Sequence, residues 1–317
     1  MAHCLVTGGA GFIGSHVVDA LLAAGHEPHV LDNLSSGQRE NLPQGVPLLE
    51  VDIRDTPALS AAFDEARPEA ICHHAAQVSV ARSVREPSVD AEINIVGMLN
   101  VIGQAHRVGA SRFVFASSGG ALYGETSEAA DETTVAMPIS PYGIGKWMGE
   151  RYLDWAAGEL GFAAVSLRYS NVYGPRQSVE GEAGVVAAFW RDLEAGADLT
   201  IFGDGCQTRD FVFVGDVARA NVAAIEGANP GEAAAINVST GEAVDINMLA
   251  GLLSELVAAR LERDDLESPR HEASRAGDIR HSLMDPSAAA GRLGWSPEVP
   301  LREGLERTVA WLLGAGR

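Results

Sequence analysis

The chain has 317 residues, of which 46% are hydrophobic and 21% are charged, and its formal net charge is −20 at pH 7. This composition is typical of a globular protein with a sizeable core, and so negative a charge disfavours nucleic acid as a partner, because phosphate binding needs clustered Lys and Arg. The sequence has no apolar run of about 18 residues and no basic leader, so we expect no membrane span, no signal peptide and a cytoplasmic location.

In the N-terminal half, short apolar runs alternate with helical patterns. The apolar runs predict strands at residues 3–7, 27–31, 48–51, 70–74, 112–116 and 163–168. The helical patterns cover residues 12–24, 57–66, 87–108 and 142–160. Strands that are apolar throughout and alternate with helices indicate a parallel sheet covered on both faces. Right-handed crossovers then give an α/β fold of the Rossmann type, with a doubly wound sheet.

Beyond residue 169 the pattern loosens into glycine-rich loops at 181–184 and 203–205 and isolated helices at 184–195 and 246–261. Residues 211–227 return to a strand-then-helix pattern, in which Asp216 suits the N-cap position. We therefore expect a Rossmann domain at 1–170 with a returning segment at about 211–243. Residues 171–210 and 244–317 would form a smaller C-terminal α/β lobe that binds the substrate.

A glycine-rich turn follows the first predicted strand. Residues 7–14 read Thr-Gly-Gly-Ala-Gly-Phe-Ile-Gly and contain the pattern Gly9-x-Gly11-x-x-Gly14. Because the turn joins a strand to a helix at the start of the chain, it has the setting in which this pattern binds a dinucleotide. The glycines allow a tight turn, and the free N–H groups and dipole of the helix N-terminus meet the pyrophosphate.

Two aspartates follow the next strands. Asp32 ends the second strand, 18 residues after Gly14, where a carboxylate accepts hydrogen bonds from the ribose hydroxyls and repels a 2′-phosphate. This position favours NAD over NADP. Asp52 and Ile53 follow the third strand, where the adenine edge would lie, although Asp52 fits a simple turn equally well.

The segment 140–146, Ser-Pro-Tyr-Gly-Ile-Gly-Lys, predicts a helix start with Ser140 as N-cap. Tyr142 and Lys146 are four residues apart and share one helix face. A tyrosine with a pKa of about 10 is a poor base at neutral pH, and a neighbouring ammonium and an oxidised nicotinamide would favour its phenolate. Ser117 and Ser118 follow the fifth strand, at the sheet edge where α/β proteins bind ligands. Either hydroxyl could contact a substrate oxygen beside the tyrosine.

These residues resemble the extended short-chain dehydrogenase/reductase family over essentially the whole chain, and most closely its UDP-glucose (UDP-galactose) 4-epimerase branch. The supporting segments are 8–16 (Gly-Gly-Ala-Gly-Phe-Ile-Gly-Ser-His), 74–77 (His-Ala-Ala-Gln), 94–97 (Asn-Ile-Val-Gly), 117–124 (Ser-Ser-Gly-Gly-Ala-Leu-Tyr-Gly), 142–146 (Tyr-Gly-Ile-Gly-Lys), 168–176 (Arg-Tyr-Ser-Asn-Val-Tyr-Gly-Pro-Arg), 202–205 (Phe-Gly-Asp-Gly), 208–212 (Thr-Arg-Asp-Phe-Val) and 275–278 (Arg-Ala-Gly-Asp).

The resemblance implies a role for each matching residue. Ser118, Tyr142 and Lys146 would be catalytic. The residues expected to bind NAD are Gly8, Gly11, Phe12, Ile13, Gly14, Asp32, Asn33, Ser36, Gly37, Asp52, Ile53, His74, Ala75, Ala76, Gln77, Asn94, Ser117, Tyr142, Lys146 and Tyr169. Those expected to bind a UDP-sugar are Ser79, Val80, Ser118, Tyr142, Asn171, Gly184, Val185, Val186, Phe202, Arg209, Arg275 and Asp278. The resemblance also implies a homodimer formed through helices 87–108 and 142–160.

The reaction implied is 4-epimerisation. Tyr142 would take the proton of the 4-hydroxyl while the C4 hydride moves to NAD. The 4-keto sugar would then rotate in the pocket and accept the hydride on its other face. NAD would therefore stay bound. The three cysteines, Cys4, Cys72 and Cys206, lack metal-ligand spacing, so no metal is expected.

Other branches of the family remain as alternatives. Dehydratases carry an Asp-Glu pair and uronate decarboxylases a Glu in the region where this chain has Gly119-Gly120, which disfavours both. Asn171 and Ser178 favour a neutral hexose over a glucuronate, whereas the small Ser282 leaves room for an N-acetylhexosamine. The loop from Gly119 is one residue longer than in many epimerases, so Ser117 could share the role of Ser118. In a different class, the same fold could serve a non-catalytic NAD-binding regulator, but such proteins usually lose the tyrosine or the lysine.

Overall fold

The computed structural model describes residues 1–126, 128–179, 184–229, 231–262, 269–274 and 279–315. The strands within these ranges are β1 (His3–Thr7), β2 (Glu27–Asp32), β3 (Leu48–Glu50), β4 (Ala70–His73), β5 (Arg112–Ser118), β6 (Ala163–Tyr169), β7 (Asn171–Tyr173), β8 (Thr200–Phe202), β9 (Thr208–Arg209), β10 (Phe211–Phe213), β11 (Ala233–Val238), β12 (Val244–Asp245) and β13 (Arg270–Glu272).

The helices within the same ranges are α1 (Phe12–Ala23), α2 (Thr56–Ala66), α3 (Val80–Arg85), α4 (Pro87–Ala91), α5 (Met98–Val108), α6 (Gly119–Tyr123), α7 (Pro141–Leu160), α8 (Val185–Glu194), α9 (Val214–Gly227), α10 (Ile246–Leu261), α11 (Ser287–Leu293) and α12 (Leu301–Ala310). None of the helices described is long and apolar enough to cross a membrane.

The central sheet is parallel, and its strand order is β11-β6-β5-β4-β1-β2-β3. This order confirms the predicted doubly wound Rossmann-type sheet and adds a seventh strand, β11, from the returning segment. The order reverses between β1 and β4, which is where such sheets bind their ligands. The register brings Thr7 beside Leu31 and His73, and Ser118 beside Tyr169, so the carboxyl ends of these strands form one edge.

Three apolar clusters surround this frame. One packs α1 and α9 on one sheet face and includes Val17, Val18 and Val217. A second packs α2, α5 and α7 on the other face. The third lies among α8, α10 and α12, with Trp190 and Tyr173 as its largest buried side chains. Burial of continuous apolar strands between helices holds the sheet edge in place.

Polar side chains cap the starts of several helices. The side chains of Asp55, Ser140 and Asp245 accept hydrogen bonds from the N–H groups of Ala58 (3.1 Å), Gly143 (3.1 Å) and Met248 (2.7 Å). Each satisfies one of the N–H groups that a helix start leaves without an intrahelical partner. The capping prediction for Ser140 is thereby confirmed.

The helix expected at 87–108 has the predicted bounds and is capped by Gly109, with a π-helical stretch, Glu92–Gly97, between α4 and α5. One local prediction is wrong. Asp216 is not an N-cap: α9 begins at Val214, and the Asp216 carboxylate lies in its first turn. There it accepts hydrogen bonds from the N–H groups of Glu298 (3.1 Å) and Val299 (3.0 Å), so it binds the segment before α12 instead.

Candidate functional site

A cleft of about 1680 Å³ runs along the carboxyl edge of the sheet. Most of the predicted site residues line it: Gly8, Gly11, Phe12, Ile13, Gly14, Asp32, Asn33, Ser36, Asp52, Ile53, His74, Ala75, Ala76, Gln77, Ser79, Val80, Ser117, Ser118, Tyr142, Lys146, Tyr169 and Gly184. The cleft therefore collects residues from β1, β2, β4, β5 and α7 at one place.

The glycine turn needs its glycines for steric reasons. Gly8 has φ +69°, and a Cβ on it would come within 2.6 Å of the Ala75 backbone nitrogen. A Cβ on Gly14 would overlap the carbonyl oxygen of Gly8. The first turn of α1 follows directly, so its unpaired N–H groups face the cleft without a bulky side chain between them and a ligand.

Asp32 is buried at the end of β2, and its carboxylate accepts hydrogen bonds from the N–H groups of Ala10 (3.0 Å) and Leu34 (2.9 Å). Burial raises the pKa of this carboxyl, and the two backbone hydrogen bonds oppose that rise. Gly37 does not line the cleft, but its small size leaves room for the carboxylate, since a Cβ there would lie 2.9 Å from Oδ2. Asp32 is thus fixed in position before any ribose binds.

Asp52 forms a different arrangement at the end of the cleft. Its carboxylate pairs with the Arg54 guanidinium at 2.7 Å and accepts a hydrogen bond from the Asn33 amide at 2.9 Å. The hydrogen bond from Arg54 is the main cause that lowers the pKa of Asp52. Asp52 is therefore held as an anion at the mouth of the cleft.

Asn94 lies behind the cleft lining rather than in it. Its amide accepts a hydrogen bond from the Gln77 N–H (2.8 Å) and donates to the Gln77 carbonyl (2.9 Å) and to Asp90 (3.0 Å). The Gln77 side chain donates to the same Asp90 oxygen at 2.8 Å. Sequence reasoning missed the buried Asp90, although it lies one helical turn before Asn94. Together these residues hold the loop after β4.

His74 and Tyr169 form part of the floor of the cleft. Their rings stack at a centroid distance of 6.4 Å, and the His74 ring is hydrogen-bonded to the Asn221 amide oxygen at 3.2 Å. Burial lowers the pKa of His74 to about 4, and the charge of Lys146 lowers it further in the same direction. His74 is therefore neutral at pH 7, whereas the neighbouring Lys146 carries a positive charge.

Tyr142, Ser118 and Lys146 meet at the centre of the cleft. The Ser118 hydroxyl lies beside the Tyr142 hydroxyl and favours its ionised form. The Lys146 ammonium donates a 2.7 Å hydrogen bond to the Ala116 carbonyl and lies 5.7 Å from the centre of the Tyr142 ring. Lys146 is buried, so its charge acts on the phenol with little screening from water.

The protein environment determines how these groups ionise. Desolvation raises the pKa of Tyr142 to about 12; the Ser118 hydroxyl opposes that rise, and the Asp90 carboxylate adds to it. Desolvation also lowers the pKa of Lys146 to about 8, against the opposite influence of Asp90. At pH 7 the chain alone thus holds a neutral phenol beside an ammonium.

Ser117 faces a different partner. Its hydroxyl donates a 2.6 Å hydrogen bond to Glu150, which also pairs with the Arg168 guanidinium at 2.7 and 2.9 Å. Arg168 donates in turn to the Tyr123 hydroxyl at 2.7 Å. Sequence reasoning missed Glu150 and Arg168, although Glu150 lies one turn after Lys146 on the same helix face. Ser118, not Ser117, is the serine that acts on Tyr142.

The predicted substrate residues are more scattered. Ser79, Val80 and Gly184 line the cleft, but Asn171, Val185, Val186, Phe202 and Arg209 do not. Asn171 is exposed in β7, and Val186 is buried in the apolar cluster of the lobe. Arg275 and Asp278 lie outside the described residues, as do residues 181–183 of the glycine-rich loop. Cleft residues that the sequence did not suggest include Arg176 and Trp311.

The model of the NAD dependent epimerase/dehydratase family matches residues 4–239. The UDP-glucose 4-epimerase of Mycolicibacterium smegmatis is 42% identical over 313 residues, 96% of each chain. The crystal structure of a Thermotoga maritima UDP-glucose 4-epimerase with UDP-glucose superposes with a TM-score of 0.92 at 45% identity, over 99% of each chain. That of a Thermus thermophilus UDP-glucose 4-epimerase with NAD gives 0.90 at 42% identity, over 98% of this chain and 99% of the other.

Proposed function

The chain belongs to the NAD-dependent epimerase/dehydratase family, and we propose that it is an isomerase that inverts C4 of a UDP-hexose, interconverting UDP-glucose and UDP-galactose. The observation that carries this function is the grouping of Ser118, Tyr142 and Lys146 in the same cleft as the glycine turn. A dehydratase would need an acid next to this group, and Gly119 and Gly120 supply none.

The residues of the cleft fit NAD. The glycine turn leaves open the space that a Cβ would fill, and α1 points its N-terminus there. Asp32, buried and fixed by two backbone N–H groups, suits a ribose diol and opposes a 2′-phosphate. When bound, NAD supplies the hydride acceptor and donor at C4 and, in its oxidised form, a positive charge beside the phenol.

Tyr142 then acts as the base. Its hydroxyl must lose a proton to accept the one on the sugar 4-oxygen, and the Lys146 ammonium stabilises the phenolate that forms. Ser118 holds the 4-oxygen through its hydroxyl, which lies beside that of Tyr142. On the return step the same phenol gives the proton back to the oxygen.

We assign the uridine diphosphate to the C-terminal lobe. Arg209, Arg275, Asn171 and Asp278 are the residues proposed to hold it, since the planar guanidinium matches phosphate geometry. This division leaves residues 1–170 and about 211–243 to hold NAD, and residues 171–210 and 244–317 to hold the substrate.

A homodimer through the helices around α7 is proposed as well. The outer face of α7 exposes Ile144, Trp147 and Trp155, which lie on one stripe at helical spacing, and the adjoining π-helical stretch exposes Val96. Sedimentation of the pure chain tests this proposal. The cytoplasmic location expected from the sequence stays a prediction.

One experiment tests the function. The chain is freed of NAD and incubated with UDP-glucose, UDP-galactose, UDP-N-acetylglucosamine and UDP-glucuronate, with NAD, NADP or neither, and C4 epimers are followed by NMR. We expect UDP-hexose epimerisation with NAD, and much less with NADP.

Three results would contradict the proposal. Full activity without NAD would remove the hydride mechanism, and a 6-deoxy product would indicate a dehydratase. Bound NAD without turnover of any sugar would indicate the non-catalytic regulator.

A further inference from the structure

Gly119, the residue after Ser118, is in direct contact with a methionine from the far end of the chain. A Cβ added to Gly119 would overlap the sulfur of Met284 and lie 2.6 Å from its Cε. Met284 is 1% exposed and packs with Tyr123 and Ala130. The Met284 side chain therefore occupies the space next to the backbone that carries Ser118.

The requirement for glycine here is steric. Gly119 is the first residue of α6 and its φ is not positive, so other residues could adopt its backbone conformation. A glycine within a helix costs about 1 kcal/mol relative to alanine. Its neighbour Gly120 has no atom within 4 Å of an added Cβ. Of these two glycines, only the first makes room for a side chain from elsewhere.

Met284 is held by a segment that we name the strap, residues 279–285. On one side, the Glu125 carboxylate accepts hydrogen bonds from the N–H groups of Arg280 (2.5 Å) and His281 (2.9 Å). Beyond Glu125, the N–H of Ala130 donates to the Leu283 carbonyl at 3.0 Å. The strap is thus joined to the loop that follows Ser118 and α6.

On its other side the strap is joined to β9. The Thr208 N–H donates to the Arg280 carbonyl (2.9 Å), and the Ser282 N–H donates to the Thr208 carbonyl (3.2 Å). β9 carries Arg209, one of the residues proposed to hold the diphosphate. The strap therefore lies between the proposed nucleotide-binding strand and the catalytic serine.

We propose that Met284 is a positioning residue for Ser118: its side chain fits against Gly119 and fixes the end of β5, so that the Ser118 hydroxyl faces Tyr142 and the sugar. This inference rests on the proposed epimerase function. A shift of the serine by a fraction of an ångström would misalign the 4-oxygen, and misplacements of about 1 Å cost about 10²-fold in rate. Met284 suits the role because an unbranched thioether adapts to an irregular gap.

The test uses both sides of the contact. Gly119→Ala should lower kcat by at least about 10-fold, with KM for the UDP-sugar within about 2-fold, because the added methyl group must displace the buried Met284 thioether that supports the end of β5, or the backbone of Ser118 itself. Met284→Ala should lower kcat by about 3-fold, since the end of β5 loses its support. The double variant should recover to about the rate of Met284→Ala alone, because the space that the methyl group needs has been made.

Gly120→Ala is the matched control and should keep wild-type kcat and KM. Met284→Leu should stay near wild type, and the unfolding midpoint and bound NAD of each variant are measured beside its kinetics. If Gly119→Ala fails to fold, Met284→Ala still decides, because a fall in kcat at unchanged KM and NAD content, measured well below the unfolding midpoint of the variant, supports positioning.

Wild-type kcat in both Gly119→Ala and Met284→Ala would overturn the inference. So would a double variant as slow as Gly119→Ala alone. If the wild-type chain itself epimerises no sugar, it is the proposed function that fails, so the two failures are distinguishable.

Discussion

Two arginine–carboxylate pairs have nearly the same geometry and opposite surroundings. Arg168 and Glu150 form two hydrogen bonds of 2.9 and 2.7 Å, and both side chains are at most 5% exposed. Arg280 and Asp204 form two of 2.7 and 2.9 Å, with side chains 48% and 56% exposed. Because water screens the second pair and not the first, equal distances do not mean equal contributions to stability.

The difference in burial between the two pairs matches the different functions that we propose for the residues around them. The buried pair lies behind Ser117 and one turn from Lys146, on the side where the groups must be aligned before the reaction. The exposed pair lies at Arg280, near the start of the strap. We infer that the catalytic side is rigid in the absence of substrate, whereas the substrate side depends on backbone hydrogen bonds and on the ligand itself.

The largest effect expected on the catalytic side is that of Tyr142→Phe. Loss of the hydroxyl removes the base, and general acid–base groups contribute about 10²–10⁴-fold in rate. We expect epimerisation to fall by about 10³-fold or more, measured by NMR, with NAD content and unfolding midpoint unchanged. A variant that keeps most of its rate would show that another group takes the proton.

Glu150→Gln tests the buried pair. It keeps the volume but leaves the Arg168 guanidinium without its counter-charge, and breaking such a pair costs about 3–5 kcal/mol in the free energy of unfolding. Urea denaturation measures the loss. The matched control is Glu255→Gln, which breaks a surface pair with Arg302 (both hydrogen bonds 3.0 Å), and its midpoint should not move. Equal losses in the two variants would contradict the distinction between buried and exposed pairs.

The lowered pKa of Lys146 predicts how stability depends on pH. The folded-state pKa is about 8 and the ordinary value is 10.5, so between these pH values the unfolded chain binds more protons and raising the pH stabilises the fold. From pH 8 to 10 this one group should add about 2 kcal/mol to the free energy of unfolding of the NAD-free chain. Above pH 10 the raised pKa of Tyr142 acts in the opposite direction.

The comparison is with Lys146→Met, which should lose this rise between pH 8 and 10. Urea denaturation at several pH values in this range measures both chains. If the two profiles are parallel, Lys146 titrates as it would in water, and the burial argument fails.

A contact or a site could be predicted from the sequence when the residues that form it lie close together in the chain. The glycine turn and the Tyr142–Lys146 spacing are local patterns with a known structural setting, so both were found at the cleft. The contact of Gly119 with Met284 was not predictable, because it joins segments that are distant in the chain. Methionine also packs against many kinds of residue, so the sequence does not indicate its neighbour. The strand β11 was missed since its first half is Ala233, Ala234 and Ala235, which have weak strand preference.

The buried charges illustrate the same limit. Glu150 lies on the face of α7 that carries Tyr142 and Lys146, and this much follows from helical spacing. That it pairs with Arg168 depends on α7 packing against β6, which no local pattern in the sequence indicates. The lobe proposed to bind the substrate was least predictable, because its residues come from short strands and loops whose neighbours are set by tertiary packing.

The smallest effect is expected from Arg280→Gln, on the exposed pair. The pKa of Asp204 is lowered chiefly by its hydrogen bond with Arg280, yet both groups are exposed to solvent, so salt at physiological strength weakens their attraction. The backbone of Arg280 keeps its bonds to Glu125 and Thr208 in the variant, so the strap should stay in place. We therefore expect an unchanged unfolding midpoint and kcat, and a KM for the UDP-sugar raised by no more than about 3-fold. A large loss of kcat would mean that the exposed pair helps to align the catalytic serine through the strap. The exposed pair would then matter for catalysis as much as the buried Arg168–Glu150 pair, and the contrast between the two pairs would not hold.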